Sequence, residues 1–194
     1  MTVDPFTIVF DSREQMPLHF SAGIEVVRDC LPAGDYSILG YETEFAIERK
    51  SLSDLCGTLT EGRDRFKREL AKLAEYRFAA IVIEGSWTQI LMGEYRSQLN
   101  PNSIIGSLMS FAIKYGVVPI LADDHFLSGQ LVENLCHNYL RILDQEKRQA
   151  SVIEIGLVAP LMDRFHQELS RIDPSINHQP LNPSLKPERM KKNA

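Results

Sequence analysis

Short unbroken apolar runs and spaced apolar stripes take turns along this chain. Residues 6–10 (Phe-Thr-Ile-Val-Phe) form a run that stops at Asp11-Ser12-Arg13-Glu14, which predicts a buried first strand ending in charge. Residues 15–22 contain Pro17 and read as a loop or short helix, residues 24–28 as a second strand, and Leu31-Pro32-Ala33-Gly34 as a turn into Asp35. Ile38-Leu39 and residues 44–49 predict two strands joined by a hairpin through Gly40. Ser51-Leu52-Ser53-Asp54 has capping-box spacing, with Ser51 as N-cap and Asp54 reaching back to its backbone N–H, so the strand should pass straight into a helix. Gly57 and Gly62 are expected to break that helix, and residues 63–76 to form a better one with Phe66, Leu70 and Leu73 on its buried face. Residues 78–83 (Phe-Ala-Ala-Ile-Val-Ile) read as a strand covered on both faces, and residues 86–100 as polar and irregular. Asn100-Pro101 supplies an N-cap and a first-turn proline for a helix carrying Ile104, Ile105, Leu108, Ala112 and Tyr115, closed by Gly116. Residues 117–121 predict an edge strand because of Pro119, and Asp123 or Asp124 caps a long helix to about residue 147.

This order of elements points to an α/β fold on a mixed sheet. In residues 151–172, Pro160 is expected to start a helix whose Leu161, Phe165, Leu169 and Ile172 face one way, as a core cap or a dimer contact. Residues 174–194 hold four prolines and a basic end and are expected to be disordered. The organisation expected is a main domain over 1–150, a helical extension over 151–173 and a tail over 174–194, without internal repeats.

Composition narrows the setting more than the chemistry. With 194 residues, 44% hydrophobic and 24% charged, the chain suits one well-buried soluble domain. Its net charge of −5 leaves nucleic-acid binding to local basic stripes, and the end of the chain (Lys186, Arg189, Lys191 and Lys192 against Glu188) makes the body more acidic still. Cys30, Cys56 and Cys136 are odd in number and widely spaced, which indicates neither disulfides nor zinc and suggests a reduced compartment. The first residues lack a basic n-region and no apolar stretch reaches the roughly 18 residues of a membrane span, so an intracellular protein, cytoplasmic or nucleoid-associated, is expected.

Candidate chemistry lies at the second hairpin strand. Side chains alternate, so Ala46, Glu48 and Lys50 share one face while Phe45, Ile47 and Arg49 share the other, with Asp35 at the head of the preceding strand. Two carboxylates aimed at one spot repel unless a cation lies between them, and oxygen donors suit Mg²⁺ or Mn²⁺. Such a metal polarises a phosphoryl oxygen and activates water, while Lys50 places that water or steadies developing charge, which suggests phosphodiester hydrolysis. The same residues also fit a plain surface hairpin with a Glu48–Lys50 ion pair worth roughly 0–1 kcal/mol. Asp11 fits a turn or a site. Arg65, Arg68 and Lys72 form a stripe on the helix after the site, either solvated beside Asp64, Glu69 and Glu75 or laid along phosphates. Trp87, Tyr95 and Arg96 fit base or phosphate contacts, or packing.

Taken together, Ile8-Val9-Phe10-Asp11-Ser12-Arg13-Glu14, Gly34-Asp35-Tyr36, Ile47-Glu48-Arg49-Lys50-Ser51-Leu52-Ser53-Asp54-Leu55 and Ile81-Val82-Ile83-Glu84 resemble the nuclease domain of the XPF family of structure-specific endonucleases, over roughly residues 6–145. The resemblance implies a restriction-endonuclease-like fold, a mixed β-sheet flanked by helices with the PD-(D/E)xK type of site. It implies Asp11, Glu14, Asp35 and Glu48 as metal ligands or their close partners, Arg49 and Lys50 as the basic pair, and Arg13 and Asp54 in support. It further implies a Mg²⁺- or Mn²⁺-dependent cut near a duplex–single-strand junction in flapped or branched DNA. A homodimer or partner protein is also implied, with residues 104–115 or the C-terminal helix as candidate faces. Arg49 falls on the face opposite Glu48 and Lys50, so either the strand twists or bulges there or Arg49 acts from the side. The tandem helix-hairpin-helix domain common in the family is not recognised in residues 151–172. Two rivals remain: a catalytically silent module partnering an active nuclease, which should have lost its carboxylates, and a purely structural α/β domain.

Overall fold

The alternating and continuous apolar runs become strands of one sheet because each can bury a face against helices. The computed structural model describes residues 5–172. The chain divides into two units, Met1–Arg141 and Ile142–Ala194. In the first, β1 (Thr7–Asp11), β2 (Glu25–Asp29), β3 (Tyr36–Ile38), β4 (Phe45–Ser51), β5 (Phe78–Glu84) and β6 (Val118–Leu121) form a six-stranded sheet in the order β2-β1-β3-β4-β5-β6. β2 runs parallel to β1, β3 is antiparallel to both β1 and β4, and β4, β5 and β6 are mutually parallel neighbours, so the sheet is mixed as expected.

Helices cover both faces. Ala46, Ile81 and Ile83 pack with α1 (Leu52–Thr60), α2 (Arg63–Leu73), α3 (Trp87–Met92) and α4 (Pro101–Tyr115), through Leu55, Phe66, Leu70, Ile90, Ile104 and Leu108. On the opposite face Phe45 and Phe78 meet Tyr139 of α5 (His125–Ile172), with Phe45 stacked on Phe78 at 5.4 Å.

This topology gathers the charged strand ends at one edge. The antiparallel start of β3 lies beside the end of β1, where Asp11 N–H donates to the Asp35 carbonyl at 2.8 Å. Asp35 N–H donates in turn to Ile47 of β4 at 2.8 Å. Gly34 makes that approach possible: its φ is +76°, and a Cβ there would lie 3.0 Å from the Ile47 carbonyl oxygen.

Several expectations need revision. The first hairpin strand ends at Ile38, and Leu39 is exposed. Gly57 lies within α1, its carbonyl accepting the closing N–H bonds from Glu61 and Gly62; Glu61 and Gly62 separate α1 from α2, which ends at Leu73. Residues 86–100 are not wholly irregular: Ser86 and Gln89 make a reciprocal capping box and Gly93 closes α3 at φ 72°. Asp124, rather than Asp123, caps α5 by accepting Leu127 N–H at 2.7 Å. That helix passes residue 147 and continues through Pro160 to Ile172, so Pro160 starts no separate element. The side chains of Leu161, Phe165, Leu169 and Ile172, and the whole of residues 174–194, lie outside the described residues. Among the described residues, no helix is long and apolar enough to cross a membrane.

Candidate active site

Charge left at strand ends must be paired, hydrogen-bonded or ligated, and ion pairs and hydrogen bonds both occur at this end of the sheet. Asp11 is only 1% exposed, yet all its acceptor positions are taken. Oδ1 receives Arg13 N at 2.8 Å and Nε at 2.7 Å, and Oδ2 receives Arg13 Nη2 and Leu31 N, both at 2.9 Å. The bidentate Arg13 hydrogen bond outweighs burial and holds the Asp11 carboxyl down at about 2. Arg13, fixed by this fork, leaves 71% of its side chain in solvent. Asp11 therefore anchors Arg13 while bordering the same cleft as Asp35 and Glu48.

Asp35 has the opposite environment. Its Oδ2 accepts Arg49 N–H at 2.7 Å, while Oδ1 accepts no hydrogen bond from the described residues. Burial first, and then the neighbouring Glu48 carboxylate, push it up to about 7; Glu14 adds to the rise while the Arg49 N–H and Lys50 oppose it. Glu48 pairs with Lys50 Nζ at 2.9 Å, both side chains being mostly buried, and the ammonium lies 4.6 Å from the centroid of Phe66. The face shared by Glu48 and Lys50 is thus the expected one.

Arg49 acts from the side, without a bulge at its paired position. Its backbone serves Asp35, whereas its guanidinium forks onto Glu84 through Nε at 2.9 Å and Nη2 at 2.8 Å, with Nη1 3.7 Å from Glu14. Burial raises the Glu84 carboxyl, but hydrogen bonds from Arg49 and His125 outweigh it and leave the group below its ordinary range. Glu84 and His125 are contributors that the sequence reading did not assign. Glu84 carries a faint signal, a charge closing an apolar strand parallel to β4. His125 carries none, because Glu84 and Pro17 lie 41 and 108 residues away along the chain.

These groups border an open cleft of about 520 Å³ lined by Asp11, Arg13, Glu14, Asp35, Glu48, Arg49 and Lys50 from the strand ends, and by Arg65, Glu69 and Lys72 from α2. Arg68 does not line it, although Arg65, Arg68 and Lys72 share a helix stripe, and Arg65 is 3.4 Å from Glu69. Trp87, Tyr95 and Arg96 also lie off the cleft, with the Tyr95 hydroxyl donating to Leu99. Asp54 borders the cleft; its N–H donates to the Ser51 hydroxyl at 3.0 Å as the cap requires, while its carboxylate accepts from that hydroxyl at 2.8 Å rather than from the Ser51 backbone N–H.

The donors facing the cleft are carboxylate oxygens, the chemistry of a hard divalent cation. Among the described residues no three His, Cys, Asp or Glu side chains converge tightly enough to hold a metal unaided. One or two carboxylates completed by water and substrate phosphate is the usual Mg²⁺ arrangement, and the unsatisfied, proton-seeking Asp35 beside Glu48 fits it.

A mixed sheet wrapped by helices, with this acidic and basic cleft at its strand ends, defines a nuclease domain of restriction-endonuclease-like fold. The model of the ERCC4 domain matches residues 10–135, and the chain belongs to that family, one of structure-specific DNA nucleases. The fold is similar to XPF from Aeropyrum pernix, with 25% identity and a TM-score of 0.56 over 69% of this chain and 61% of that one. It is likewise similar to XPF from Aeropyrum pernix in complex with DNA, with 25% identity and a TM-score of 0.58 over 70% of this chain and 66% of that one. The chain thus spans less than two thirds of the length of either. No curated protein sequence matches it.

Proposed function

We propose that this protein is a divalent-metal-dependent DNA endonuclease that hydrolyses a phosphodiester bond near a junction in flapped, forked or branched DNA. The observation that carries the reading is the Asp35–Glu48 carboxylate pair beside Lys50 in one cleft of an ERCC4-family fold. Asp35 and Glu48, with Glu14 at their side, would hold Mg²⁺ or Mn²⁺. When bound, the ion supplies charge neutralisation at the phosphate and activation of a water.

The remaining chemistry belongs to the chain's own groups. Lys50, steadied by Glu48 and the Phe66 ring, presents an ammonium that orients the attacking water. Arg13, preorganised by Asp11 and open to solvent, offers its guanidinium to the non-bridging phosphate oxygens. Arg49 organises instead of binding phosphate, since its fork is spent on Glu84. The water oxygen bonds to phosphorus as the bond to O3′ breaks and takes up a proton, leaving a 5′-phosphate and a 3′-hydroxyl. The silent-module reading loses ground because all the motif carboxylates are present, and partner proteins or a second copy remain compatible with either.

The test is cleavage of labelled flap, fork, duplex and single-stranded DNA with Mg²⁺, Mn²⁺ or chelator, by the wild type and Glu48→Gln. Cutting near the junction that needs metal and disappears in the variant is expected. Binding without cutting in every metal would overturn the enzymatic reading.

A further inference from the structure

His125 begins α5, outside every motif block, yet it sits against the network that shapes the cleft. Its Nδ1 lies 2.7 Å from Glu84 Oε1, and the Nε2 edge approaches the Pro17 carbonyl oxygen at 3.3 Å. Glu84 is an acceptor, so Nδ1–H donates to it. Arg49 Nη2 is 3.3 Å from that same nitrogen, a contact between two donors that only the shared Glu84 carboxylate makes tolerable. One carboxylate thus receives an imidazole on Oε1 and both prongs of a guanidinium, all three groups being at most 30% exposed. The other end of that guanidinium approaches Glu14, and the backbone of the same residue fixes Asp35.

Pro17 lies in the segment after β1 that also carries Glu14. The same segment touches the first turns of α5 again, where His19 meets His125 edge-on at 6.1 Å between ring centroids. We propose that His125 is a positioning residue: by donating to Glu84 it sets the Arg49 fork, which in turn places Glu14 and Asp35. This rests on the endonuclease reading for its consequence in catalysis, though not for the geometry itself. Arg49 is the outer partner of Asp35 and Glu14, a relation whose loss typically costs about 10- to 100-fold in metal affinity or activity, and His125 stands one hydrogen bond further out, so the lower end of that range is expected for its loss.

Three variants separate positioning from bulk packing. Asn reproduces an Nδ1-type donor, so His125→Asn should retain cutting, whereas His125→Ala should raise the Mg²⁺ needed for half-maximal cutting about tenfold while leaving the KM for DNA unchanged. In a Glu84→Ala background, which removes the acceptor, His125→Ala should add little further loss, because both act through one hydrogen bond. A readout free of DNA and metal decides the geometry even if the wild type never cuts: the Arg49 Nε–H proton should exchange slowly in wild type and His125→Asn and rapidly in His125→Ala. Slow exchange retained in His125→Ala, or equal Mg²⁺ defects in the Ala and Asn variants, would overturn the proposal. Absence of cutting in a wild type that shows the expected exchange pattern counts against the endonuclease reading alone.

Discussion

At the scale of single residues, the two aspartates that flank the β1–β3 junction behave in opposite ways. Asp11, hydrogen-bonded on both oxygens, is held at about 2, so its contribution to stability is present above the ordinary carboxylate value of 3.8 and is lost as pH falls through about 2. Asp35, pushed up to about 7 by burial and by Glu48, contributes stability that is present below 3.8 and lost as pH rises through about 7. The protein stripped of divalent ions should therefore become less stable between about pH 4 and 7 on account of Asp35. Asp35→Asn should flatten that decline and raise the melting temperature at pH 7.5 in chelator, while abolishing metal-dependent cutting. Melts recorded across pH check this, and an unchanged slope in the variant would remove Asp35 as the cause. Mg²⁺ should stabilise the wild type at pH 7.5 but not Asp35→Asn, since ions that bind only the folded state shift its melting upward.

Among elements, those legible from sequence owe their form to neighbours in the chain. Ser51 capping α1, Asn100 and Pro101 opening α4, and Gly116 closing it all act within a few residues, and each occurs as expected. By the same logic α3 was readable from Ser86, Gln89 and Gly93, but its polar flanks obscured it. Glu48, Lys50 and Asp35 were legible because strand alternation and a hairpin set them together. The Arg49–Glu84–His125 network was not, because it depends on which helix covers the second face of the sheet. The seat of that helix is tight: a Cβ on Gly129 would meet the His19 carbonyl oxygen at 2.1 Å. Gly129→Ala should accordingly force α5 and the segment carrying Glu14 apart, costing about 1–3 kcal/mol in chemical denaturation as other overpacked sites do. Full stability in that variant would show that the packing there yields freely.

For the molecule as a whole, a net charge of −5 means that affinity for a polyanion must come from a patch rather than from the overall field. Arg65 and Lys72 border the cleft and Arg68 does not. Replacing Arg65 and Lys72 together with Ala should weaken DNA binding and lower the slope of log affinity against log salt by about one for each phosphate no longer neutralised. Arg68→Ala should leave the slope as it is, and titrations at several salt concentrations distinguish the two. The sheet that supports this patch has unlike borders. Its β6 side carries Pro119, which brings no N–H to a further strand, and is half-covered. The β2 side is exposed along all five residues, with Val26 and Val27 open to solvent. Strand-by-strand self-association of the folded protein at high concentration therefore has one open door, and charge substitution at Val26 or Val27, which lie outside the motif blocks, is the change that would close it.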